Sequence, residues 1–544
     1  MTAMQASPAT CSAPGKVLLT GGYLILDRPH AGMVLALNAR FASVVEPCTF
    51  GDAAATACGG LLIEVRSPQF HDERRYVYRW DAPPEDASLE LQPPPSGGEP
   101  PSPNRYVEVP LLYGLTLLRY LRGDGFLKET LGDSGARSPS GVRGLRITLG
   151  ADNGFYSQAA ELRARGWELS AESLAALPPY LPPRRDADGE LPKTGLGSSA
   201  TLVTSLLGAL LHAFGLIALP NAPECAPHSA GCAKGGDALG VLHAVAQLCH
   251  CAAQGKVGSG FDVCAAVYGS NAYVRFSPSL LAPLLALPTH VPPPRRLLLD
   301  CVCAVAAGGG APGAPPAWDH SALPFETPPG VEVMMADVSC GANTPSMVKK
   351  ILAWRKAGGA ADVALWEAYA QASVRVQASV RALCALHAAS VSAGAPPAEW
   401  ARQLTQCGCA PPEQWSAMGE VGSVLCDLRR HALSLRTLIR EISAVADVPI
   451  EPPSQTELLD ATMRVRGVLV AVVPGAGGND AVVALVLPTT GAADDPQGTR
   501  ARVAALWRAW PQVAPPPAPS VVCELCVKEA RPSATGHNGV MWEV

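Results

Sequence analysis

A glycine- and serine-rich loop leads directly into a long apolar segment, residues 201–219, that is predicted to be a helix. The loop residues are Lys193, Thr194, Gly195, Leu196, Gly197, Ser198, Ser199 and Ala200. Its glycines carry no Cβ, so backbone can approach a ligand closely. The first N–H groups of the helix have no partners within it, and its dipole is positive there. We therefore predict that this phosphate loop, residues 193–200, cradles a phosphate, with the two serine hydroxyls suited to Mg²⁺.

Three other interpretations of the loop are possible. It is not a Walker A loop, because the Gly-Lys-Ser/Thr ending is missing. It matches the dinucleotide pattern through Gly195, Gly197 and Ala200, but that fold needs a preceding strand and an acid roughly 20 positions later. Residues 182–186 read Pro-Pro-Arg-Arg-Asp, and the first acidic residue after the loop is Glu224. Taken alone, the loop could also be an ordinary glycine turn that caps a core helix.

Two further glycine-bearing segments flank the phosphate loop at a distance: Ala-Pro-Gly-Lys-Val-Leu-Leu-Thr-Gly-Gly-Tyr at residues 13–23 and Val-Pro-Gly-Ala-Gly-Gly-Asn-Asp at residues 473–480. In this order, the three segments resemble the three motifs of the GHMP kinase superfamily. Residues 21–24, 193–200, 258–263 and 450–456 are more narrowly similar to the eukaryotic phosphomevalonate kinase family. The resemblance extends in patches from about residue 12 to about residue 490.

The resemblance implies an α+β, two-domain GHMP kinase fold. Residues 1–295 would form an ATP-binding domain with a ribosomal-S5-like core, residues 296–544 a ferredoxin-like domain, and the site would lie between them. Hydrophobic patterning agrees with this class, because strands (33–47, 60–80, 143–149, 331–338, 468–473, 481–487) and helices (107–121, 238–254, 346–356, 363–390, 413–446) interleave without strict βαβ repetition. The Pro-rich residues 82–103 are predicted to be a loop, and the boundary is placed within residues 287–316.

The resemblance assigns the catalytic roles to Lys16 and Asp262. Phosphoryl transfer depends on positioning and on compensation of the charge on the transferring group, and here both reactants would be anionic. Lys16 would supply positive charge at the transferring phosphate. The alternatives are an exposed lysine and an aspartate that caps a helix after a glycine turn.

The resemblance also implies a set of substrate-binding residues: Lys256, Ser259, Thr344, Ser346, Arg440, Gly475, Ala476, Gly477 and Gly478. Two departures from the family pattern are visible. Ala342 stands where a serine is common, which weakens the assignment of the 341–346 loop, and Asn479 stands where a tyrosine is common. The second departure matters less, because a glycine loop acts through its backbone.

Composition narrows the possible partners and location. A net charge of −5 gives no general attraction to nucleic acid or to an anionic membrane. The 17 cysteines and the absence of a hydrophobic run in residues 1–12 favour a reduced, intracellular compartment. The Cys407/Cys409 and Cys523/Cys526 pairs lack partner pairs at zinc-ribbon spacing, so a zinc site is not favoured. Residues 201–219 carry His212 and several hydroxyl groups, so a membrane-spanning helix is not favoured there. We expect a cytoplasmic protein, with a peroxisomal location left open.

Taken together, the resemblance implies an ATP- and Mg²⁺-dependent kinase that converts 5-phosphomevalonate to 5-diphosphomevalonate, acting on small molecules alone as a monomer or dimer. Two alternatives remain to be tested. A mevalonate kinase would usually carry Gly-Glu-His where this chain has Gly21-Gly22-Tyr23. A non-catalytic ligand sensor with the same fold would not need Lys16 and Asp262.

Overall fold

The computed structural model describes residues 8–28, 30–51, 60–79, 83–93, 101–131, 142–185, 189, 191–221, 236–303, 318–338, 344–489, 498–513, 522–531 and 537–543. Its strands form two sheets. In chain order they are β1 Ala9–Thr20, β2 Ala31–Phe50, β3 Gly60–Ser67, β4 Asp72–Arg79, β5 Ser88–Leu91, β6 Val142–Ala151, β7 Asn271–Val274, β8 Ser321–Pro324, β9 Glu332–Asp337, β10 Val468–Val472, β11 Ala481–Val486, β12 Cys523–Glu524 and β13 Met541–Trp542.

The first sheet has nine strands in the order β13-β1-β2-β6-β3-β4-β5, with β7 paired to β2 and β8 paired to β7. All neighbours are antiparallel except β3 and β6. The pairing of β1 with β2 shifts register between Pro14 and Lys16. Such an irregularity re-aims the side chains beside it. The Lys16 amide donates instead to the Leu196 carbonyl at 3.0 Å, which ties β1 to the phosphate loop.

The second sheet has four antiparallel strands in the order β10-β11-β9-β12. Both of its faces are covered, since every residue of β10 and β11 is buried. Continuous apolar runs of this kind are what a sheet covered on two sides requires.

The helices lie between and around these sheets. In chain order they are α1 Arg105–Arg122, α2 Asp124–Leu131, α3 Ala159–Ala164, α4 Ala171–Ala175, α5 Ser198–Ala213, α6 Gly236–Gln254, α7 Phe261–Tyr268, α8 Ala282–Leu285, α9 Arg295–Cys303, α10 Thr344–Ala357, α11 Ala360–Ser392, α12 Pro397–Cys409, α13 Gly419–Val445, α14 Pro453–Arg464 and α15 Gly498–Val513. Helix α5 packs on β1 and β2, with α1 and α6 beside it. The mixture of helix and sheet confirms the α+β class.

Three expectations about individual segments need correction. Residues 60–80 form two strands, β3 and β4, rather than one, because residues 68–71 make a turn. The expected loop at 82–103 contains β5, whose residues pair with β4. Helices α12, α14 and α15 were not predicted, because their short apolar faces are interrupted by prolines or polar residues.

The division at residue 295/296 remains a prediction. Two strands beyond it pair into the first sheet: β8 with β7, and β13 with β1. Helix α11 also reaches the first sheet, where the Gln377 side chain donates to the Ala31 carbonyl at 2.8 Å. The chain therefore returns to its N-terminal sheet at least twice after the proposed boundary.

Candidate active site

The glycine segments meet at one cleft of about 870 Å³. Its wall includes Lys16 from β1, Gly195 and Gly197 from the phosphate loop, Asp262 from α7, and residues 474–477 from the loop between β10 and β11. Segments more than 450 residues apart in the sequence thus converge on one space. This convergence was predicted from the order of the motifs.

Lys16 reaches the phosphate loop with both its backbone and its side chain. Its Nζ donates to the Gly195 carbonyl at 2.6 Å, and it lies 5.3 Å from the centre of the Phe261 ring. Burial lowers the pKa of the Lys16 ammonium, while the negative charges of Asp262 and Asp480 partly oppose that shift. A half-buried cation among carboxylates is a suitable group to neutralise phosphate.

Asp262 is the second residue of α7, not its cap. The cap position is Gly260, and the Asp262 Oδ1 accepts a hydrogen bond from the Val263 amide at 3.0 Å. A carboxylate in the first turn is stabilised by the helix dipole. The side chain lies on the cleft wall and is 22% exposed, so it is accessible to a bound ligand.

The phosphate loop leads into α5 as expected, with Ser198 and Ser199 in its first turn, but the helix ends at Ala213 rather than at Leu219. Gly197 has φ +85°, and a Cβ there would lie 3.2 Å from the Lys16 Cε. Thr194 is buried, and its hydroxyl donates to the Gly154 carbonyl at 2.5 Å. Thr194, Gly195 and Gly197 line the cleft, whereas Lys193 is exposed and lies outside that lining.

His250 joins the phosphate loop to the catalytic candidate Asp262. Its Nε2 lies 3.0 Å from the Ser199 hydroxyl and 3.9 Å from the Asp262 Oδ2. Burial lowers the pKa of His250, and Asp262 opposes this shift. The Gln254 side-chain amide lies 3.1 Å from the same nitrogen. No motif or spacing in the sequence marks His250 as part of this site.

The loop between β10 and β11 is hydrogen-bonded to two other segments of the chain, one at residue 23 and one at residue 450. The Tyr23 hydroxyl donates to the Ala476 carbonyl at 2.6 Å, and the Gly478 amide donates to the Ile450 carbonyl at 2.8 Å. A Cβ on Gly477, where φ is +77°, would lie 2.2 Å from that Ile450 carbonyl oxygen. The glycine is therefore required for close backbone approach at this point.

The residues expected to bind the acceptor are only partly brought together. Lys256 and Ser259 line the cleft, as do Gly475, Ala476 and Gly477. Arg440 is outside the lining and donates to Glu451 at 3.0 Å. Ser346 is exposed. Residues 341–343 and the Thr344 side chain lie outside the described part of the chain, so the expected 341–346 substrate loop stays a prediction.

Two residues of the cleft wall that the sequence did not single out are Arg275 and Asp480. Arg275 directly follows β7 and is 9% exposed. Asp480 follows the last glycine loop and lies close enough to act on Lys16. Neither residue is part of a recognisable sequence motif. The only signal for Asp480 is its position next to a glycine loop.

A metal site in the protein itself and a membrane-spanning helix are the two features to compare with the structure. Among the described residues, no three His, Cys, Asp or Glu side chains are arranged to hold a metal ion. In the same part of the chain, no helix has both the length and the apolar character needed to cross a bilayer. Cys407 and Cys409 are free thiols, as are Cys523 and Cys526.

Known proteins are similar to this chain in sequence and in fold. No profile of a known protein family matches the chain. The peroxisomal phosphomevalonate kinase of Arabidopsis thaliana is 34% identical over 496 residues, which cover 88% of this chain and 90% of the relative. The phosphomevalonate kinase of Aspergillus fumigatus is 34% identical over 506 residues, covering 87% and 86%. The Lin0012 protein from Listeria innocua, 15% identical, has the same fold with a TM-score of 0.52 across 99% of both chains. The chain belongs to the phosphomevalonate kinase family.

Proposed function

We propose that this protein transfers the γ-phosphoryl group of ATP to the phosphate of (R)-5-phosphomevalonate, giving (R)-5-diphosphomevalonate and ADP. An oxygen of the acceptor phosphate attacks Pγ, and the bond from Pγ to the β,γ-bridging oxygen breaks. The observation that carries the proposal is the convergence of Lys16, the phosphate loop and Asp262 on one cleft in a chain of this family.

The cleft supplies the charge that such a reaction needs. Lys16, Lys256 and Arg275 line it, and the first turns of α5 and α7 begin at it. Helix N-termini stabilise anions. We assign Lys16 to the transferring phosphate, the phosphate loop to ATP, and Lys256 and Ser259 to the acceptor.

The residues present fit Mg²⁺ carried in by the nucleotide. Mg²⁺ is commonly held by substrate phosphates and only one or two protein oxygens, so a site without three protein ligands suits it. Ser198 and Ser199 of the phosphate loop and Asp262 on the cleft wall would supply the protein oxygens. When bound, the ion would neutralise charge on the phosphates.

We predict that Ser199→Ala raises the Mg²⁺ concentration needed for half-maximal activity by roughly tenfold, because a lost metal-ligand contact weakens affinity on that scale. Titration of Mg²⁺ at fixed ATP measures this, with Ser198→Ala as the matched comparison. The structure adds a competing role, since the Ser199 hydroxyl also bonds His250. If only Ser198→Ala shifts the titration, Ser198 is the ligand and Ser199 serves His250.

The acceptor is tested by coupled ADP release with purified protein. We expect turnover with 5-phosphomevalonate and at least 10²-fold lower kcat/KM with mevalonate. Mevalonate carries a hydroxyl in place of the phosphate, so the cations placed for that phosphate would have no anionic partner. Mevalonate as the better acceptor would make this a mevalonate kinase. Tight ATP binding without product from either acceptor would support a sensor.

We place the protein in the cytoplasm or the peroxisome; the name of the Arabidopsis relative favours the second. We also propose that it acts as a monomer or dimer, which light scattering on the purified protein would decide.

A further inference from the structure

The Arg275 guanidinium links two loops of the cleft through their carbonyl groups. Its Nη2 donates to the Gly258 carbonyl at 2.7 Å and to the Val257 carbonyl at 3.2 Å. Its Nη1 donates to the Leu26 carbonyl at 2.7 Å. One side chain therefore fixes the loop before α7 to the segment that follows β1.

The next two carbonyls of the same loop are also held by side chains. The Tyr273 hydroxyl donates to the Ser259 carbonyl at 3.0 Å, and the Gln247 amide donates to the Gly260 carbonyl at 2.6 Å. Both side chains are fully buried. All four successive carbonyls of residues 257–260 are thus bonded by side chains of α6 and of the β7 segment.

The opposite side of this loop is left for a ligand. Within the described part of the chain, the amides of Ser259, Gly260 and Phe261 have no hydrogen-bond partner. Lys256 precedes the loop, Asp262 follows it, and both line the cleft. Bonding of every carbonyl leaves the loop little freedom to rotate its peptide groups, so these functional groups keep their direction.

Arg275 is unusual as a buried cation. Its guanidinium pairs with no carboxylate among the described residues, and its Nε has no hydrogen-bond partner. Burial is unfavourable for a guanidinium and lowers its pKa, and the negative charge of Asp27 only partly opposes that shift. Bonds to three carbonyls on two loops need a planar fork, which lysine does not have. Arginines bonded to backbone carbonyls also occur outside the cleft, as Arg429 shows, so it is the position of Arg275 on the cleft wall that points to a task there.

We propose that Arg275 is a positioning residue of the phosphoryl transfer, holding residues 257–260 so that Lys256, Ser259 and Asp262 face the acceptor. Tyr273 and Gln247 complete the same set of bonds. The inference rests on the proposed function, because it assigns this loop to the acceptor and the phosphate loop to ATP.

The test is Arg275→Lys, which keeps the charge but breaks the fork. We expect kcat to fall roughly 10- to 100-fold and KM for 5-phosphomevalonate to rise, because small misplacements of catalytic groups have effects of that size. KM for ATP should stay within about twofold of the wild-type value, because the contacts assigned to ATP are not changed by this substitution. Tyr273→Phe removes one of the bonds and should show a smaller loss with the same split. Amide hydrogen exchange over residues 257–263 should be faster in both variants.

Arg429→Lys is the matched control. Arg429 also donates to two carbonyls, those of Val468 at 2.6 Å and Met463 at 2.8 Å, but it lies outside the cleft. It should lower the melting temperature and leave both KM values and the exchange of residues 257–263 unchanged.

Wild-type kinetics and exchange in Arg275→Lys would overturn the proposal, as would an equal rise in both KM values. If Arg275→Lys does not fold, Tyr273→Phe and Gln247→Leu decide by the same criteria. An inactive wild-type protein would contradict the proposed function instead, and exchange would still test the loop.

Discussion

Lys16→Met is expected to lower kcat by roughly 10³-fold, the scale on which removal of a charge-stabilising group acts in phosphoryl transfer. Lys16 Nζ lies on the phosphate loop at Gly195, and Asp262 and Asp480 act on its charge from the same cleft. Without the ammonium, those carboxylates would face two anionic substrates with one positive charge fewer in the cleft. Steady-state kinetics measures the loss. Lys528→Met, at an exposed lysine away from the cleft, controls for loss of a surface charge.

Asp262→Asn is expected to lower kcat less than Lys16→Met does. The second pKa of a phosphate monoester is about 6, so most of the acceptor is already a dianion at neutral pH and little proton removal remains to be done. A general base therefore cannot contribute its usual 10²–10⁴-fold by that route. We propose that Asp262 acts mainly by orienting Lys16 or the metal shell. Rates of the two variants between about pH 5.5 and 8, across the phosphate pKa, compare the roles. The ordering is wrong if Asp262→Asn is worse and recovers as rising pH ionises the acceptor.

The pH profile of the wild type carries a second signature of Lys16. An ammonium is charged below its pKa, and burial lowers this pKa, so the free protein should lose the charge at a lower pH than an exposed lysine would. Bound phosphates favour the charged form and raise the pKa again. The alkaline loss should therefore occur at lower pH in kcat/KM, which reports the free enzyme, than in kcat. Coinciding alkaline losses would mean that Lys16 is not the group that titrates.

The sequence predicts the parts of the site that depend on local backbone chemistry. Gly197 lies at the start of α5 with a positive φ, as a glycine–serine loop before an apolar run requires. Lys16 and Asp262 are 246 positions apart in the sequence and lie on one cleft wall. Their proximity could be predicted because the order of the motifs identifies a family whose topology brings these two positions together. Their proposed roles remain to be tested.

The supporting residues of the site could not be predicted, because their function arises from tertiary contacts. Arg275 and Gln247 act on backbone carbonyls, and any carbonyl can accept a hydrogen bond, so no residue pattern marks them. His250 has the same limitation: its partner Ser199 is 51 positions away on another helix. Arg440 illustrates the reverse case, since a basic residue expected at the acceptor donates to the buried Glu451, which also pairs with Arg436 at 2.7 Å.

Gly197→Val is expected to lower kcat/KM for ATP by roughly 10²- to 10³-fold, because a misplacement of about 1 Å at a phosphate-binding loop has an effect of that size. Two causes act together. A β-branched residue is strained at φ +85°, and even its Cβ would lie 3.2 Å from the Lys16 Cε. Isothermal titration with a non-hydrolysable ATP analogue measures the affinity, and steady-state kinetics measures turnover.

Gly419→Val separates backbone strain from the site itself. Gly419 has φ +86° and open space around its Cβ position, and it lies outside the cleft. This variant should lose stability without a change in ATP affinity. Unchanged nucleotide affinity in folded Gly197→Val would refute the cradle assignment. Adding Gly197→Val to Lys16→Met distinguishes its two causes, because neighbouring residues are non-additive when one acts through the other. If the valine acts only by displacing Lys16, the double variant should bind and react like Lys16→Met; a further loss of ATP affinity would place the phosphates on the Gly197 backbone.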